Sequence, residues 1–263
     1  MSEFWGSKTF CVVTGGSRGL GRSIAAEFSK RISPGSTLIL LARTLPATDD
    51  TKGEILRVNP NCKVLGLGMD LMNPDIPKFE ATLQKAVGDA TSTFDQCVLV
   101  HCAGTTGDCT NRTVQYTNFS EIQYFFNLEV TSMLLLTSSF VKFFQGYAKH
   151  TTVIQLTTEL TPFPRGGVYC AAKAARDSLM RSIALEEGEA VRTLSFNPGS
   201  CDTGMMDDAI ASCTDQPTRQ VLLDMKNSGK LLKPEVPVGK LVQILETNGF
   251  ISGQHFDYEV VKD

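Results

Sequence analysis

Seven strand candidates, most of them short apolar runs, divide the chain: Phe10 to Val13, Ser36 to Leu41, Lys63 to Met69, Cys97 to Val100, Thr152 to Leu156, Thr193 to Phe196 and Gln254 to Tyr258. The clearest of them are rich in β-branched and long aliphatic residues and do not alternate polar with apolar, the pattern of strands buried on both faces. Most are separated by helical segments rather than tight turns, with no internal repeat and no Pro/Ser linker. Strands alternating with helices predict an α/β fold, a parallel doubly wound sheet with right-handed crossovers in three α/β/α layers. Residues 1–263 read as one domain, a length that open α/β sheets commonly reach as a single unit.

The helical stretch from Phe119 to Tyr147, which includes VTSMLLLTSSF, is apolar beyond one face and so predicts burial on two sides. The sheet and a partner subunit could cover it, giving a homodimer through the helices around 119–147 and 168–188. One large core accounts for it equally. Its strongly apolar part, Val130 to Phe144, is too short and too rich in Ser and Thr to span a bilayer. The start, MSEFWGSK, lacks the basic region and apolar core of a signal peptide, so a soluble, cytoplasmic protein is expected. Charge narrows the partners: 25 basic against 28 acidic side chains, a formal net of −3, provide no basic field for nucleic acid or an anionic membrane. Eight cysteines without CxxC spacing read as reduced core thiols rather than disulfides or metal ligands, and no metal is expected.

The first candidate chemistry lies between Thr9 and Phe28, TFCVVTGGSRGLGRSIAAEF. A strand runs into glycines at 15, 16, 19 and 21 and then into alanine-rich helix. Glycines there allow a tight turn, close approach of a ligand to the backbone, and close packing of helix on strand. The helix start aims unpaired N–H groups and its positive dipole end at the turn, a field suited to a pyrophosphate. About twenty positions on, an acid would bind ribose hydroxyls, whereas an arginine accommodates a 2′-phosphate. Arg43 stands there with no acid beside it, and Arg18 could supply a second guanidinium, so NADPH is favoured over NADH.

Further along, Tyr169 and Lys173 form Tyr-x-x-x-Lys, one helical turn apart on one face. A cation beside a phenol favours the phenolate, which predicts a depressed Tyr169 pKa and proton exchange with a carbonyl oxygen near neutrality. The spacing Thr14-Gly15-x-x-x-Gly19-x-Gly21, followed by Ala103-Gly104, Tyr169-x-x-x-Lys173 and Pro198-Gly199, resembles the short-chain dehydrogenase/reductase family. That resemblance spans most of the chain and implies a Rossmann-type sheet with NADP(H) along the carboxyl ends of its strands. It implies that Gly15, Gly16, Ser17, Arg18, Gly19, Leu20 and Gly21 cradle the phosphates, that Ala42 and Arg43 meet the ribose, and that Asp70 and Leu71 meet the adenine. Ala103 and Gly104 would lie under the cofactor, and Pro198, Gly199, Cys201, Asp202 and Thr203 would hold the nicotinamide. Tyr169 would donate the proton and Lys173 would bind the nicotinamide ribose.

Three positions depart from the family pattern. HCAG at 101–104 replaces the usual NNAG, and a local hydrogen-bonding role is expected of His101. The active-site asparagine's place holds Glu129, with Asn127 two residues earlier, so either the helix is shifted locally or the asparagine is absent. Where a catalytic serine is implied, a loop two residues shorter presents Thr157 and Thr158; Thr158 (or Thr157) would polarise the substrate oxygen. Strings such as AGTTGD (103–108), YCAAKAARD (169–177) and SGQHFDYE (252–259) are similar to the members of the family that reduce side-chain carbonyls of 6-substituted pterins. The implied substrate contacts are Thr157, Thr158, Tyr169, Gly199 and Asp257. The carboxylate of Asp257 would accept the paired donors of the pterin edge. A broad carbonyl or steroid reductase and a catalytically weak NADP-binding sensor or scaffold are the alternatives.

Overall fold

Alternate residues of the first strand feed two different cores. In the computed structural model, which describes residues 4–88, 94–160 and 162–259, β1 (Thr9–Thr14) sends Cys11 and Val13 to one side of the sheet and Phe10 and Val12 to the other. All six residues are buried, which is why the run carries no polar alternation.

The elements follow in the order α1 (Gly19–Ser29), β2 (Thr37–Ala42), α2 (Asp49–Val58), β3 (Lys63–Gly68), α3 (Ile76–Val87) and β4 (Phe94–His101). After them come α4 (Phe119–Phe126), α5 (Ser132–Phe144), β5 (Ala148–Leu156), α6 (Gly167–Glu187) and β6 (Val191–Asn197). Helices α7 (Gly204–Ser212), α8 (Gln216–Asn227) and α9 (Glu235–Thr247) precede β7 (Gln254–Asp257). The sheet order is β3-β2-β1-β4-β5-β6-β7, and every neighbouring pair is parallel. This is the doubly wound, Rossmann-type sheet that the pattern predicts.

Helices α1 and α9 cover one face through Ile24, Phe28, Leu241 and Leu245, while α3 and α5 cover the other through Phe79, Leu83, Leu136 and Phe140. The chain therefore leaves β1 toward one face and β4 toward the other, and a crevice opens between their carboxyl ends. Thr14 stitches that point together: its Oγ1 accepts from the N–H groups of Cys102 (3.0 Å) and Ala103 (3.1 Å) and donates to the Val100 carbonyl (3.3 Å).

The long apolar helix is not uniform. Asn127–Thr131 form a π-helical segment between α4 and α5, and the helical run ends at Phe144, short of Tyr147. An 18-residue window inside the helical run Phe119–Phe144 reaches a mean hydropathy of 1.2, a level that the core helix of a globular protein also attains. Here α5 packs on the sheet and on α3, and Met133, Leu136, Phe140 and Phe144 sit in the core. All eight cysteines are free thiols.

Candidate active site

Two glycines shape the turn after β1. Gly15 has φ +70°, and a Cβ there would come within 3.0 Å of the Ala103 backbone; at Gly21 it would meet the Gly15 carbonyl oxygen at 2.2 Å. Any side chain at either position would force the β1 turn away from the β4 turn or lift α1 off its strand. No side chain caps α1, whereas Asp75, Asn118 and Asp215 cap α3, α4 and α8. The first amides of α1 thus remain available to an anion.

These elements frame a cleft of about 310 Å³ lined by Gly15, Ser17, Arg18, Gly19, Leu20 and Gly21 from the turn, Ala42 and Arg43 after β2, and Asp70 and Leu71 after β3. Ala103, Gly104, Thr203 and Asp208 close it. Thirteen positions expected from sequence to meet a cofactor are thereby brought to one cavity. Some carry partners: Arg18 Nη2 pairs with Asp208 Oδ2 at 2.8 Å across the mouth, both side chains being exposed. One oxygen of Asp70 accepts from the Met72 N–H at 3.0 Å, the local turn role a short acid commonly takes.

Other expected cofactor residues sit elsewhere. Gly16 is buried, and its Cβ would strike Leu40 at 3.0 Å, so its place is the packing of the turn on β2. Cys201 turns its Sγ back onto the carbonyls of Pro198 (3.6 Å) and Gly199 (3.5 Å), and Asp202 is tied through its backbone to Leu232. Neither Cys201, Asp202 nor the Pro198–Gly199 turn lines the cleft; Thr203 does. The reason is that the segment after β6 pairs with Leu232 instead of lying across the cavity.

Beneath the cleft lies an ion cluster. Glu129, fully buried, faces Lys173 Nζ at 3.0 Å and Arg176 Nη1 at 3.1 Å through one oxygen and accepts the Thr105 N–H at 2.6 Å through the other. A Cβ on Gly104 would stand 2.8 Å from the Glu129 carboxylate and 3.3 Å from Lys173 Nζ, so a side chain there would have to push the ion cluster aside. The π-helical segment brings Glu129 inward, while Asn127 faces outward and donates to the Met72 carbonyl at 3.1 Å. The buried group at this point of the helix is therefore a carboxylate and not an amide.

Arg176 follows Tyr169 and Lys173 on the same face of α6, seven and three positions on, a spacing that could have flagged it in the sequence. Fully buried, it also donates to Gln155 Oε1 (3.0 Å) and to the His101 carbonyl (3.2 Å). His101 takes the expected local role, with Nε2 2.8 Å from Thr137 Oγ1, and burial together with Arg176 keeps its pKa well below the ordinary value.

The cluster reverses one expectation. Burial, reinforced by the Glu129 carboxylate, pushes the Tyr169 phenol up to about 12 instead of down, against a hydrogen bond from Thr158 and the charge of Arg176. Lys173 lies 5.5 Å from the centre of the Tyr169 ring, but its charge is matched by Glu129. Burial works to raise the Glu129 pKa, and the two cations outweigh it and hold the carboxyl below its usual range. Burial in turn draws Lys173 below the ordinary lysine value, opposed by Glu129.

The two threonines separate clearly. Thr158 hydrogen-bonds to Tyr169, whereas Thr157 Oγ1 is buried without a partner among the described residues, its backbone N–H spent on Phe196. Thr158 is therefore the hydroxyl that meets Tyr169, and that of Thr157 is closed off from the surface. Asp257 ends β7 in register with Asn197 at the end of β6, on the same carboxyl edge of the sheet as the cleft. Its Oδ1 accepts from Asn197 Nδ2 at 2.8 Å and faces His255 Nε2 at 3.3 Å. An oxygen with two such neighbours has its lone pairs engaged, so a two-oxygen grip on a ligand is not available in this arrangement and Oδ2 is the oxygen left.

Comparison with known proteins places this geometry. A family model described as short chain dehydrogenase matches residues 9–213. The chain is 34% identical to the sepiapterin reductase of Bos taurus over 259 residues, covering 95% of this chain and 94% of that protein. It is 32% identical to the sepiapterin reductase of Xenopus laevis, covering 94% of each. Among solved structures, a short chain dehydrogenase of Shigella flexneri 2a complexed with NADP superposes with a TM-score of 0.77 at 20% identity, covering 98% of this chain and all of that one. With this match over residues 9–213 and the doubly wound sheet beneath it, the chain belongs to the short-chain dehydrogenase/reductase family of oxidoreductases.

Proposed function

We propose that this protein is an NADPH-dependent reductase of side-chain carbonyls on 6-substituted pterins, sepiapterin among them. The observation that carries the reading is an accessible carboxylate at Asp257 on the carboxyl edge of the sheet, together with a Tyr169 phenol hydrogen-bonded to Thr158. Similarity to sepiapterin reductases over nearly the whole chain supports it.

The cleft fits a nicotinamide dinucleotide: the glycine turn excludes side chains, α1 is uncapped, and Arg18 and Arg43 both border the cavity. When bound, that cofactor supplies hydride to the carbonyl carbon. Ser17, Gly19, Leu20 and Gly21 hold its phosphates, Arg43 and Arg18 its 2′-phosphate, and Asp70 and Leu71 its adenine, while Ala103, Gly104 and Thr203 line the remaining length. Pro198 and Gly199 are assigned to the nicotinamide end. Thr158 polarises the substrate oxygen and Tyr169 gives it a proton. Lys173, fixed by Glu129, orients the nicotinamide ribose. The exposed apolar side chains Phe119, Tyr124 and Leu135 of α4 and α5 support assembly as a homodimer through these helices.

Arg43→Asp tests the cofactor assignment. A carboxylate in place of the guanidinium repels a 2′-phosphate and accepts ribose hydroxyls, so NADPH should bind at least about tenfold more weakly while NADH binding holds or improves. Titration of both cofactors by intrinsic fluorescence reads this. Equal affinities in the unmodified protein would remove the assignment.

Asp257 tests the substrate assignment. Loss of one charged acceptor from pterin N–H donors costs about 2 kcal/mol, or roughly 30-fold in kcat/KM for a pterin. A small diketone has no such edge, and its reduction by Asp257→Ala should hardly change. A parallel loss on both substrates would favour the second reading, a broad carbonyl reductase, to which the engaged Oδ1 of Asp257 already lends weight.

A further inference from the structure

Strand β7 closes one edge of the sheet, and His255 and Asp257, two residues apart, share one of its faces. Opposite them on α6 is Asp177, whose side chain is 2% exposed. His255 Nδ1 lies 3.1 Å from Asp177 Oδ1 and Nε2 lies 3.3 Å from Asp257 Oδ1. A neutral imidazole has one N–H and one lone pair, so it can serve only one of these carboxylates; an imidazolium serves both.

We propose that His255 is a positioning residue for substrate recognition: as an imidazolium bridging Asp177 and Asp257, it fixes the aim of the Asp257 carboxylate and makes selectivity for the pterin edge depend on pH. This rests on the reading of Asp257 as the substrate anchor given above.

The bridge is anchored at both ends. Asp177 Oδ2 pairs with Arg181 Nη2 at 3.1 Å, Ser195 of β6 also bonds to Asp177, and Asn197 of β6 holds Asp257 Oδ1. The charged groups around the ring are therefore Asp177 and Arg181 from α6 and Asp257 from β7, and β6 presents only neutral Ser195 and Asn197. The hydrogen bond to Asp177 leads the balance that raises the His255 pKa, with burial opposing and the charges of Asp177 and Asp257 assisting.

With Oδ1 held by two donors, rotation of the carboxylate is blocked and Oδ2 keeps one direction. The Asp257 side chain is 35% exposed, which leaves that oxygen reachable. Deprotonation of His255 sets a lone pair against one of the carboxylates, and the aim is lost. The sign follows: selectivity is complete below the ordinary histidine pKa and declines as pH rises through the raised value.

The test measures kcat/KM for sepiapterin and for a small diketone across pH in three proteins: unmodified, His255→Gln and Asp257→Asn, each with NADPH binding as a control of folding. The unmodified protein should lose pterin efficiency with rising pH, mainly through KM, while the diketone stays flat. His255→Gln should lower pterin efficiency about tenfold and abolish that pH break without affecting the diketone. If the break persists in His255→Gln, or the diketone shares it, the inference is overturned. If Asp257→Asn shows no pterin-selective loss, the anchor reading itself fails; selective loss in Asp257→Asn without it in His255→Gln overturns the role of His255 alone. An NMR titration of the unmodified protein, which has only three histidines, stands apart from any variant. It should place His255 above the ordinary value of 6.5, and a midpoint at or below 6.5 overturns the bridge.

Discussion

Tyr169→Phe is expected to lower turnover by about two or more orders of magnitude while leaving NADPH binding nearly intact. The substitution removes the phenolic proton and keeps the ring, so packing against Phe163, whose ring centre lies 6.2 Å away, is preserved. A phenol at about 12 stays protonated throughout the neutral range, ready to donate in reduction and poorly able to accept in oxidation. The unmodified enzyme should therefore reduce carbonyls at a rate insensitive to this group near neutrality, and its alcohol oxidation should climb with pH toward the phenol's pKa. Steady-state rates in both directions read this. A phenylalanine variant that kept most of its activity would show that another group supplies the proton.

Glu129→Ala is expected to destabilise the protein by about 3–5 kcal/mol, because it leaves Lys173 and Arg176 as buried cations without their shared counterion. Urea unfolding followed by circular dichroism measures the loss. A change within about 0.5 kcal/mol, the range of an ordinary surface substitution, would show that the cluster contributes nothing to the folded state. The pH dependence has a definite sign. The folded Glu129 pKa lies below the unfolded one, so its contribution is present above the unfolded value and is lost as pH falls through the folded value. The milder Glu129→Gln keeps an acceptor for the Thr105 N–H and removes the negative charge, so the Tyr169 pKa should drop and oxidation should gain at neutral pH.

The sheet could be read along the chain because both-face burial writes itself as unbroken apolar runs in β1, β2 and β4, and although β7 (QHFD) is only half-buried, all seven candidates became strands. Where a strand extends beyond the core that signal stops: β5 begins at Ala148, through exposed Lys149 and His150, four residues ahead of the run that betrayed it. The glycine turn and its cleft were equally plain, since a steric requirement for glycine leaves a spacing.

Partners across the fold left no such trace. Tyr-x-x-x-Lys pointed to a lysine that lowers the phenol's pKa, but burial outweighs it, reinforced by the charge of Glu129 on another helix, placed by a π-helical segment that no periodicity announces. In the same way, Asp257 stood out as a carboxylate near the end of the chain, while its engagement by Asn197 and His255 depends on β6–β7 register and on α6 behind them.

The most direct test of the proposed activity is NADPH oxidation by the purified protein with sepiapterin, set beside a small diketone under the same conditions. The reading predicts NADPH-dependent reduction of sepiapterin with a kcat/KM well above that for the diketone. Reduction of the diketone with no turnover of sepiapterin would contradict it.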